Sequence, residues 1–219
     1  MAAMTEITTD LLLRAYAFGV FPMAERRTDK RLFWVDPDRR GVLPLDAMHV
    51  PRSLRKVIRS GRFEVRCDTD FQAVIAGCAE ATDARPETWI NRKIEALFVE
   101  LHEMGFAHSV ECWRDGRLAG GLYGASLGGA FFGESMFSRE RDASKVALVH
   151  LAARLAHGGF RLLDTQFVTG HLMRFGAVEI PRDDYKERLA QAVRAPAVFY
   201  PELPPGALEG FLQSTTQTS

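Results

Sequence analysis

The sequence predicts an α+β protein in which a small, β-rich N-terminal subdomain precedes a larger domain of mixed helices and strands. Three consecutive strand-like runs occupy residues 108–137, and glycine-containing turns join them as hairpins. A helical pattern at residues 143–156 follows and leads into a further strand at residues 162–168. In residues 1–47, by contrast, glycine and proline interrupt the apolar runs, so this part holds too little apolar material for a large core.

The N-terminal subdomain, residues 1–47, is predicted to contain one helix and two short strands. Apolar residues at helical spacing indicate a helix at residues 10–18. Strands are expected at residues 32–35 and 41–45, because two apolar runs flank a turn at residues 36–38. We therefore expect this subdomain to dock against the rest of the chain.

The larger domain, residues 48–219, alternates helices and strands, and its helices show apolar stripes such as Leu97, Phe98 and Leu101. In chain order the predicted elements are a helix at 52–60, a strand at 63–67, helices at 70–81 and 92–104, strands at 108–114, 117–126 and 129–137, a helix at 143–156, a strand at 162–168, and helices at 170–175 and 184–193. The tail beyond Pro201 is expected to be loose. A strand meander followed by a helix and a strand is the layout of an acetyltransferase-like fold, the acyl-CoA N-acyltransferase superfold.

Composition excludes several classes of protein. With 219 residues, 47% hydrophobic and 26% charged, the chain has an ordinary globular composition. It contains no apolar run near the ~20 residues that cross a bilayer, and residues 1–10 lack the features of a secretory signal. We therefore expect a cytoplasmic protein without membrane contact. The net charge of zero argues by itself against a nucleic-acid binder.

Cysteine and histidine spacing argues against a disulfide or a metal site. Cys67, Cys78 and Cys112 are odd in number, lack Cys-x-x-Cys spacing and lie in apolar contexts, which is typical of reduced core thiols. The 6 histidines are scattered, with no His-x-x-x-His pair. The prediction is therefore an enzyme or binding protein that needs no metal and no cofactor.

Three polar side chains interrupt strand-like runs and are candidates for chemistry. Glu134 lies among phenylalanines and methionine, and the next basic residue is Arg139. Asp164 and Gln166 are two positions apart, so a regular strand would place them on one face. A buried carboxylate is costly unless it is paired or hydrogen-bonded. An ion pair between Glu134 and Arg139 that only stabilises the fold would explain one such residue. Three such residues on neighbouring strands favour a functional site.

These residues belong to motifs that resemble those of the leucyl/phenylalanyl-tRNA–protein transferase family. The motifs are Gly-Glu-Ser-Met-Phe-Ser-Arg at 133–139, Asp-Ala-Ser-Lys at 142–145, Asp-Thr-Gln at 164–166 and the run 176–185, preceded by Gly-Val-Phe-Pro-Met at 19–23, Trp-Val-Asp-Pro-Asp-Arg-Arg at 34–40, Pro-Arg-Ser-Leu-Arg-Lys at 51–56 and Thr-Trp-Ile at 88–90. The resemblance covers residues 11–185 in order, and the run at 133–139 is its most specific part.

The resemblance implies an aminoacyl transfer that requires no cofactor. The donor is Leu-tRNA or Phe-tRNA, with methionine a poorer donor, and the acceptor is the α-amine of a protein that begins with lysine or arginine. The product carries a new peptide bond and is marked for N-end-rule degradation. Because an aminoacyl ester is already activated, the enzyme mainly positions the two substrates, which fits the absence of a Ser/His/Asp or Cys/His constellation.

The resemblance also implies roles for individual residues. Asp164 and Gln166 take the catalytic role, with Gln166 hydrogen-bonded to Asp164, and Glu134 binds the donor's α-ammonium or the acceptor's basic head. Positioning of substrates by this pair is an equally open alternative. The tryptophans Trp34 and Trp89 stack on the terminal adenosine of the tRNA. The expected pocket for the donor side chain is formed by Leu122, Met136, Leu148, Leu151, Leu155 and Leu163, although the leucines at helical spacing are also consistent with an ordinary core.

A basic run precedes the strand meander. Between His49 and Arg62 the sequence has five basic residues and no acid, namely Arg52, Arg55, Lys56, Arg59 and Arg62. Spacings of three and four would place most of them on one helical face, either as a solvated surface or as a binding site for tRNA phosphates.

Two other functions remain open from the sequence. A small-molecule N-acyltransferase of the same superfold would use an acyl-CoA, yet no pyrophosphate-binding glycine loop lies between Phe137 and Ala147. A non-enzymatic RNA-binding module would use the basic run. For each of these functions we expect a monomer.

Overall fold

The computed structural model describes residues 7–29, 31–81 and 86–215. Its helices are α1 (Thr9–Ala17), α2 (Arg52–Arg59), α3 (Phe71–Ala79), α4 (Arg92–Glu103), α5 (Ala143–His157), α6 (Gly170–Met173), α7 (Arg182–Arg194) and α8 (Ala207–Ser214). Its strands are β1 (Phe21–Met23), β2 (Phe33–Val35), β3 (Arg39–Val42), β4 (Glu64–Cys67), β5 (Ala107–Arg114), β6 (Arg117–Leu127), β7 (Ala130–Ser138), β8 (Leu162–Gln166) and β9 (Val178–Pro181). The coarse prediction of an α+β protein is confirmed.

A seven-stranded sheet forms the centre of the molecule, in the order β4-β5-β6-β7-β8-β3-β9. Neighbouring strands from β4 to β7 are antiparallel, and hairpin turns join β5 to β6 and β6 to β7. Strand β8 is parallel to β7, because the chain returns through α5 between them. Strands β1 and β2 form a separate antiparallel pair.

Helices cover both faces of the sheet. One core contains Leu12 of α1, Phe71 of α3, Phe98 of α4 and Tyr185 of α7. A second core is built around α5 and also receives apolar residues of α2, α6 and α8. None of the helices in the described part of the chain combines the length and the apolar character that a bilayer crossing requires.

Strands β7 and β8 separate along their length, and this separation positions the site. Their parallel pairing consists of three residue pairs, from Ala130 with Leu162 to Phe132 with Asp164. Beyond that point β7 continues to Ser138 beside β6, whereas β8 ends at Gln166 and pairs with β3. A gap therefore opens inside the sheet between Gly133 and Thr165.

The prediction of a loose tail beyond Pro201 is wrong up to residue 215, while residues 216–219 lie outside the described part of the chain. Helix α8 forms there, and its Phe211 and Leu212 are buried against the core around α5. The predicted boundary after residue 47 stays a prediction, although β3, which precedes that boundary, is an interior strand of the large sheet.

Candidate active site

A cavity of about 390 Å³ occupies the gap between β7 and β8. Its apolar wall is made by Leu122, Met136, Leu148, Leu151 and Leu163. Its polar wall is made by Glu134, Thr165, Gln166 and His171, and the aromatic side chains Phe21, Trp89 and Phe167 lie around it. One large apolar cavity with a few convergent polar groups is the usual form of a ligand site.

The apolar wall contains five of the six residues predicted for the donor pocket. Leu148 and Leu151 come from α5, one helical turn apart, and therefore share a face. Leu155 is the exception, because its fully buried side chain packs in the core around α5 and does not line the cavity. The prediction of Leu155 as a pocket residue is therefore wrong.

Asp164 is fully buried and lies behind the cavity wall, bound to three partners. Arg40 donates to both carboxylate oxygens, with Nε–Oδ1 at 2.9 Å and Nη2–Oδ2 at 2.6 Å. The hydroxyl of Tyr185 donates to Oδ2 at 2.7 Å, and the backbone N–H of Gln166 donates to Oδ1 at 2.8 Å. The expectation that Asp164 projects into the acyl site is therefore wrong, because its carboxylate is already fully engaged.

The Arg40 guanidinium, like Asp164, makes several contacts that fix its position. It lies between the rings of Phe21 and Tyr185, each centred 4.5 Å from the guanidinium carbon, and it donates to the carbonyl oxygen of Gly19. Hydrogen bonds and charge from Asp164 raise the pKa of Arg40, against the opposing effect of burial. The pair fixes the end of β8 to β3 and α7.

Gln166 is the polar residue of this network that reaches the cavity. Its φ of 54° is left-handed, a conformation that non-glycine residues rarely adopt, and it turns the chain out of β8. The bond from its backbone N–H to Asp164 stabilises that turn. The predicted contact to Asp164 thus involves the backbone, whereas the side-chain Nε2 is buried with no hydrogen-bond partner among the described residues. A substrate in the cavity could supply that partner.

Glu134 lies in the cavity wall and is half-buried. The hydroxyl of Tyr16 on α1 donates to its Oε1 at 2.7 Å, so the partner is not Arg139, whose guanidinium bonds Glu80 instead. Burial raises the pKa of Glu134 to about 8, and the negative charge of Asp164 adds to the rise against the bond from Tyr16. A pKa of about 8 favours the protonated form of Glu134 at neutral pH.

The raised pKa of Glu134 predicts a pH effect on stability. Because the folded state holds this proton and the unfolded state releases it, the contribution of Glu134 to stability falls as pH rises from about 4.5 to about 8. In Glu134→Gln that loss, at most a few kcal/mol, should disappear. Urea unfolding of both proteins across that pH range measures the difference. The same pH dependence of stability in both proteins would contradict the raised pKa of Glu134.

The two predicted tryptophans are placed differently. Trp89 is half-buried and lines the cavity. Trp34 lies on β2, is 40% exposed, and is paired with Pro22 of β1, whose neighbour Phe21 lines the cavity. The structure thus brings Trp89 to the cavity and leaves Trp34 on the adjacent small sheet.

The predicted basic face of α2 is smaller than expected. Arg55 is buried and donates to the carbonyl oxygens of Val50 and Leu212 and to the Thr215 hydroxyl, so it attaches the C-terminal segment to α2. Arg59 pairs with Glu209 at 2.6 Å, and Arg62 lies 3.5 Å from Glu140. The exposed remainder is Arg52 and Lys56. The expectation of a helix face without acidic partners is therefore wrong.

Several site residues were not predicted individually, although sequence signals for them exist. Arg40 lies two positions before the buried Val42, an inward position in β3 where a charge requires a partner. Tyr185 and Leu189 share a helical stripe on α7. Tyr16 and His171 have no comparable signal, because only the fold brings Tyr16 to Glu134 and His171 to the cavity. Within the described residues, no three His, Cys, Asp or Glu side chains form a group that could hold a metal ion.

The fold and the site together define an α+β protein with an apolar cavity beside a few polar groups. The sequence profile of leucyl/phenylalanyl-tRNA protein transferase matches residues 42–190, and the profile of that protein's N-terminal domain matches residues 5–38. The chain therefore belongs to the leucyl/phenylalanyl-tRNA protein transferase family.

Curated relatives with that name resemble this chain over most of their length. The protein of Paramagnetospirillum magneticum is 67% identical over 90% of this chain and 94% of its own. The protein of Phenylobacterium zucineum is 62% identical, over 90% and 89% of the two chains. The protein of Maricaulis maris is 59% identical, over 95% and 96%.

Proposed function

We propose that this enzyme transfers leucine or phenylalanine, and methionine less well, from aminoacyl-tRNA to the α-amine of proteins that begin with lysine or arginine. The observation that carries the proposal is the cavity between β7 and β8. Its leucine- and methionine-lined wall suits an apolar donor side chain, and a methionine adapts to both leucine and phenylalanine. Its polar wall lies where the ester and the incoming amine would meet.

The chemistry needs little beyond positioning. The acceptor nitrogen attacks the ester carbon, the new C–N bond forms, the bond to the ribose oxygen breaks, and a proton passes from the amine to that oxygen. Gln166, with its unpartnered amide nitrogen, orients the reacting groups from the cavity wall. Asp164 acts through Gln166, because its carboxylate holds the turn that carries the side chain.

Glu134 is suited to receive an ammonium group. Burial raises its pKa to about 8, and the charge of Asp164 adds to the rise. A donor α-ammonium or an acceptor lysine or arginine placed against it would favour the ionised carboxylate, with Tyr16 keeping Oε1 in place. Substrate binding and the ionisation of Glu134 would then be coupled.

The superfold assignment is also a proposal. The antiparallel strands β4 to β7, the crossover through α5 and the parallel strand β8 support an acetyltransferase-like fold. In such a fold a small-molecule N-acyltransferase would bind coenzyme A. The membership of this chain in a tRNA-dependent family favours an aminoacyl ester as the donor.

The residues proposed to contact the tRNA are those whose side chains line the cavity or are exposed on the surface. Trp89 at the cavity and Trp34 on β2 are the aromatic surfaces on which the terminal adenosine would stack. Arg52 and Lys56, the exposed charges of α2, would contact phosphates. We keep the N-end-rule role, the cytoplasmic location and the monomeric state as parts of this proposal.

A matched pair of arginine substitutions separates tRNA contact from structure on α2. Arg52→Ala should weaken binding of all aminoacyl-tRNAs alike and make the salt dependence shallower by about one phosphate contact, without loss of stability. Arg55→Ala should instead lower the free energy of unfolding by roughly 1–3 kcal/mol, because the carbonyl of Leu212 and the Thr215 hydroxyl lose their donor. Filter binding across salt concentrations and urea unfolding provide the two readouts. If both substitutions changed tRNA binding and stability alike, the assignment of Arg52 to tRNA contact and of Arg55 to structure would be wrong.

Incubation with radiolabelled Leu-tRNA and a lysine-initiated peptide tests the proposed function. We expect label in that peptide and in an arginine-initiated one, but not in an otherwise identical alanine-initiated control. Transfer from leucyl-coenzyme A but not from Leu-tRNA would support the small-molecule alternative. Binding of tRNA without any transfer would support the RNA-binding module.

A further inference from the structure

A cluster of three basic side chains borders the cavity on the side of α5 and α6. His171 of α6 lines the cavity, and its Nε2 is buried with no hydrogen-bond partner in residues 7–29, 31–81 and 86–215. Arg174 directly follows α6 and is exposed. Lys145 lies on α5, one turn before the lining residue Leu148 and on the same helical face. We call these three residues the rim cluster.

The members of the rim cluster are close enough to influence one another. Burial lowers the pKa of His171, and the positive charges of Lys145 and Arg174 lower it further. Asp142, which directly precedes α5, is an acidic group at the cluster and binds the Lys145 ammonium at 2.7 Å. Glu134 faces the same cavity from β7. Within the described residues, the Arg174 guanidinium makes no hydrogen bond or ion pair, so the cluster carries unneutralised positive charge.

We propose that the rim cluster binds a backbone phosphate in the single-stranded 3′ end of the donor RNA. This inference rests on the proposed function, since it assumes an acyl group of an RNA donor in the cavity. The ester then places the last phosphodiesters of the RNA just outside the cavity. Arg174 and Lys145 supply charge there, and His171 donates from Nε2 once a phosphate favours its protonated form.

The position of α2 favours RNA over an acidic peptide as the occupant. The backbone N–H of His49, which shortly precedes α2, donates to the carbonyl oxygen of Phe175, the residue after Arg174, at 2.9 Å. The exposed Arg52, in the first turn of α2, lies three residues beyond His49 in the chain. A positive path from the cavity to α2 suits a continuous strand of phosphates.

Donors of increasing phosphate content test the proposal. The probes are leucyl-adenosine, which has no phosphate, and a leucylated cytidyl-cytidyl-adenosine trinucleotide, which has phosphodiesters. We expect Arg174→Ala to raise the KM of the trinucleotide donor by roughly tenfold and that of leucyl-adenosine by less than about twofold. The salt dependence of trinucleotide binding should become shallower by about 0.7 in log–log slope. Arg117→Ala, an exposed arginine at the start of β6, is the matched control and should change neither donor.

A second measurement keeps the proposal testable without activity. The unacylated trinucleotide should raise the pKa of His171, followed by NMR and assigned with His171→Gln, whereas adenosine should not. The phosphate site would be overturned if Arg174→Ala raised the KM of both donors equally, or changed only the KM of the acceptor peptide. It would also be overturned if the trinucleotide left the pKa of His171 unchanged. If the wild-type protein transfers leucine from no donor, the proposed function fails, while the titration still decides whether the rim cluster binds phosphate.

Discussion

Asp164→Ala is expected to lower the free energy of unfolding by about 3–5 kcal/mol and to abolish transfer. The substitution leaves the Arg40 guanidinium, 1% exposed, without its counter-charge. It also removes the acceptors of the Tyr185 hydroxyl and of the Gln166 backbone N–H. Removing one partner of a buried ion pair lowers stability by more than the intact pair contributes, because the remaining charge stays buried without a counter-charge. Urea unfolding at neutral pH measures the change.

A double substitution provides the control for Asp164. Arg40→Met combined with Asp164→Leu removes both charges at similar volume and should recover most of the lost stability. Transfer should remain absent, because the turn at Gln166 has lost its acceptor. An Asp164→Ala protein with wild-type stability would contradict the structural role of the pair. Wild-type transfer by the stable double variant would contradict the role of Asp164 in positioning Gln166.

Gln166→Ala is expected to lower kcat/KM by about 100-fold at nearly unchanged stability. The side chain lines the cavity, and its amide nitrogen has no hydrogen-bond partner in the part of the chain that the structure describes, so its removal breaks no hydrogen bond seen there. Alanine and glutamine carry a similar cost at a φ of 54°, so the backbone turn is retained. Single-turnover transfer and urea unfolding together separate this effect from that of Asp164→Ala.

Gln166→Asn serves as the control with a shorter amide. Asparagine tolerates the left-handed conformation well, so the fold should be kept, whereas the amide no longer reaches the same point in the cavity. Transfer should again be low. Full activity in Gln166→Ala would show that the side chain does not take part in the reaction.

Local sequence signals predicted most of the fold. The Asp115-Gly116 turn specifies the hairpin between β5 and β6, and the apolar stripe of Leu97, Phe98 and Leu101 specifies α4. Short elements were missed: β1 contains a proline, and β9 has one buried residue in four. Helix α8 was missed because the prolines and polar residues around it outweighed the spacing of Leu208, Phe211 and Leu212.

The composition of the site was predictable, but its connections were not. Glu134 and Gln166 stood out as polar residues within apolar, strand-like segments, whereas the leucines that line the cavity were expected there only because of the family resemblance. Glu134 is hydrogen-bonded by Tyr16 and Asp164 by Arg40, and each pair is separated by more than one hundred residues in the chain. Local sequence patterns carry no information about such pairs. For the same reason the sequence overestimated the basic face of α2, since Glu209 and Glu140 neutralise it from elsewhere in the chain.

A competition between leucine and phenylalanine donors tests the central claim, that the apolar cavity holds the donor side chain. Leu148→Phe adds bulk to the cavity wall and should reduce its space for the larger donor first. With equal amounts of Leu-tRNA and Phe-tRNA and one lysine-initiated peptide, the ratio of phenylalanine to leucine in the product is measured for both proteins. We predict that the ratio falls by about tenfold or more in Leu148→Phe, at comparable stability. An unchanged ratio, with both transfers reduced alike, would contradict the assignment of the cavity to the donor.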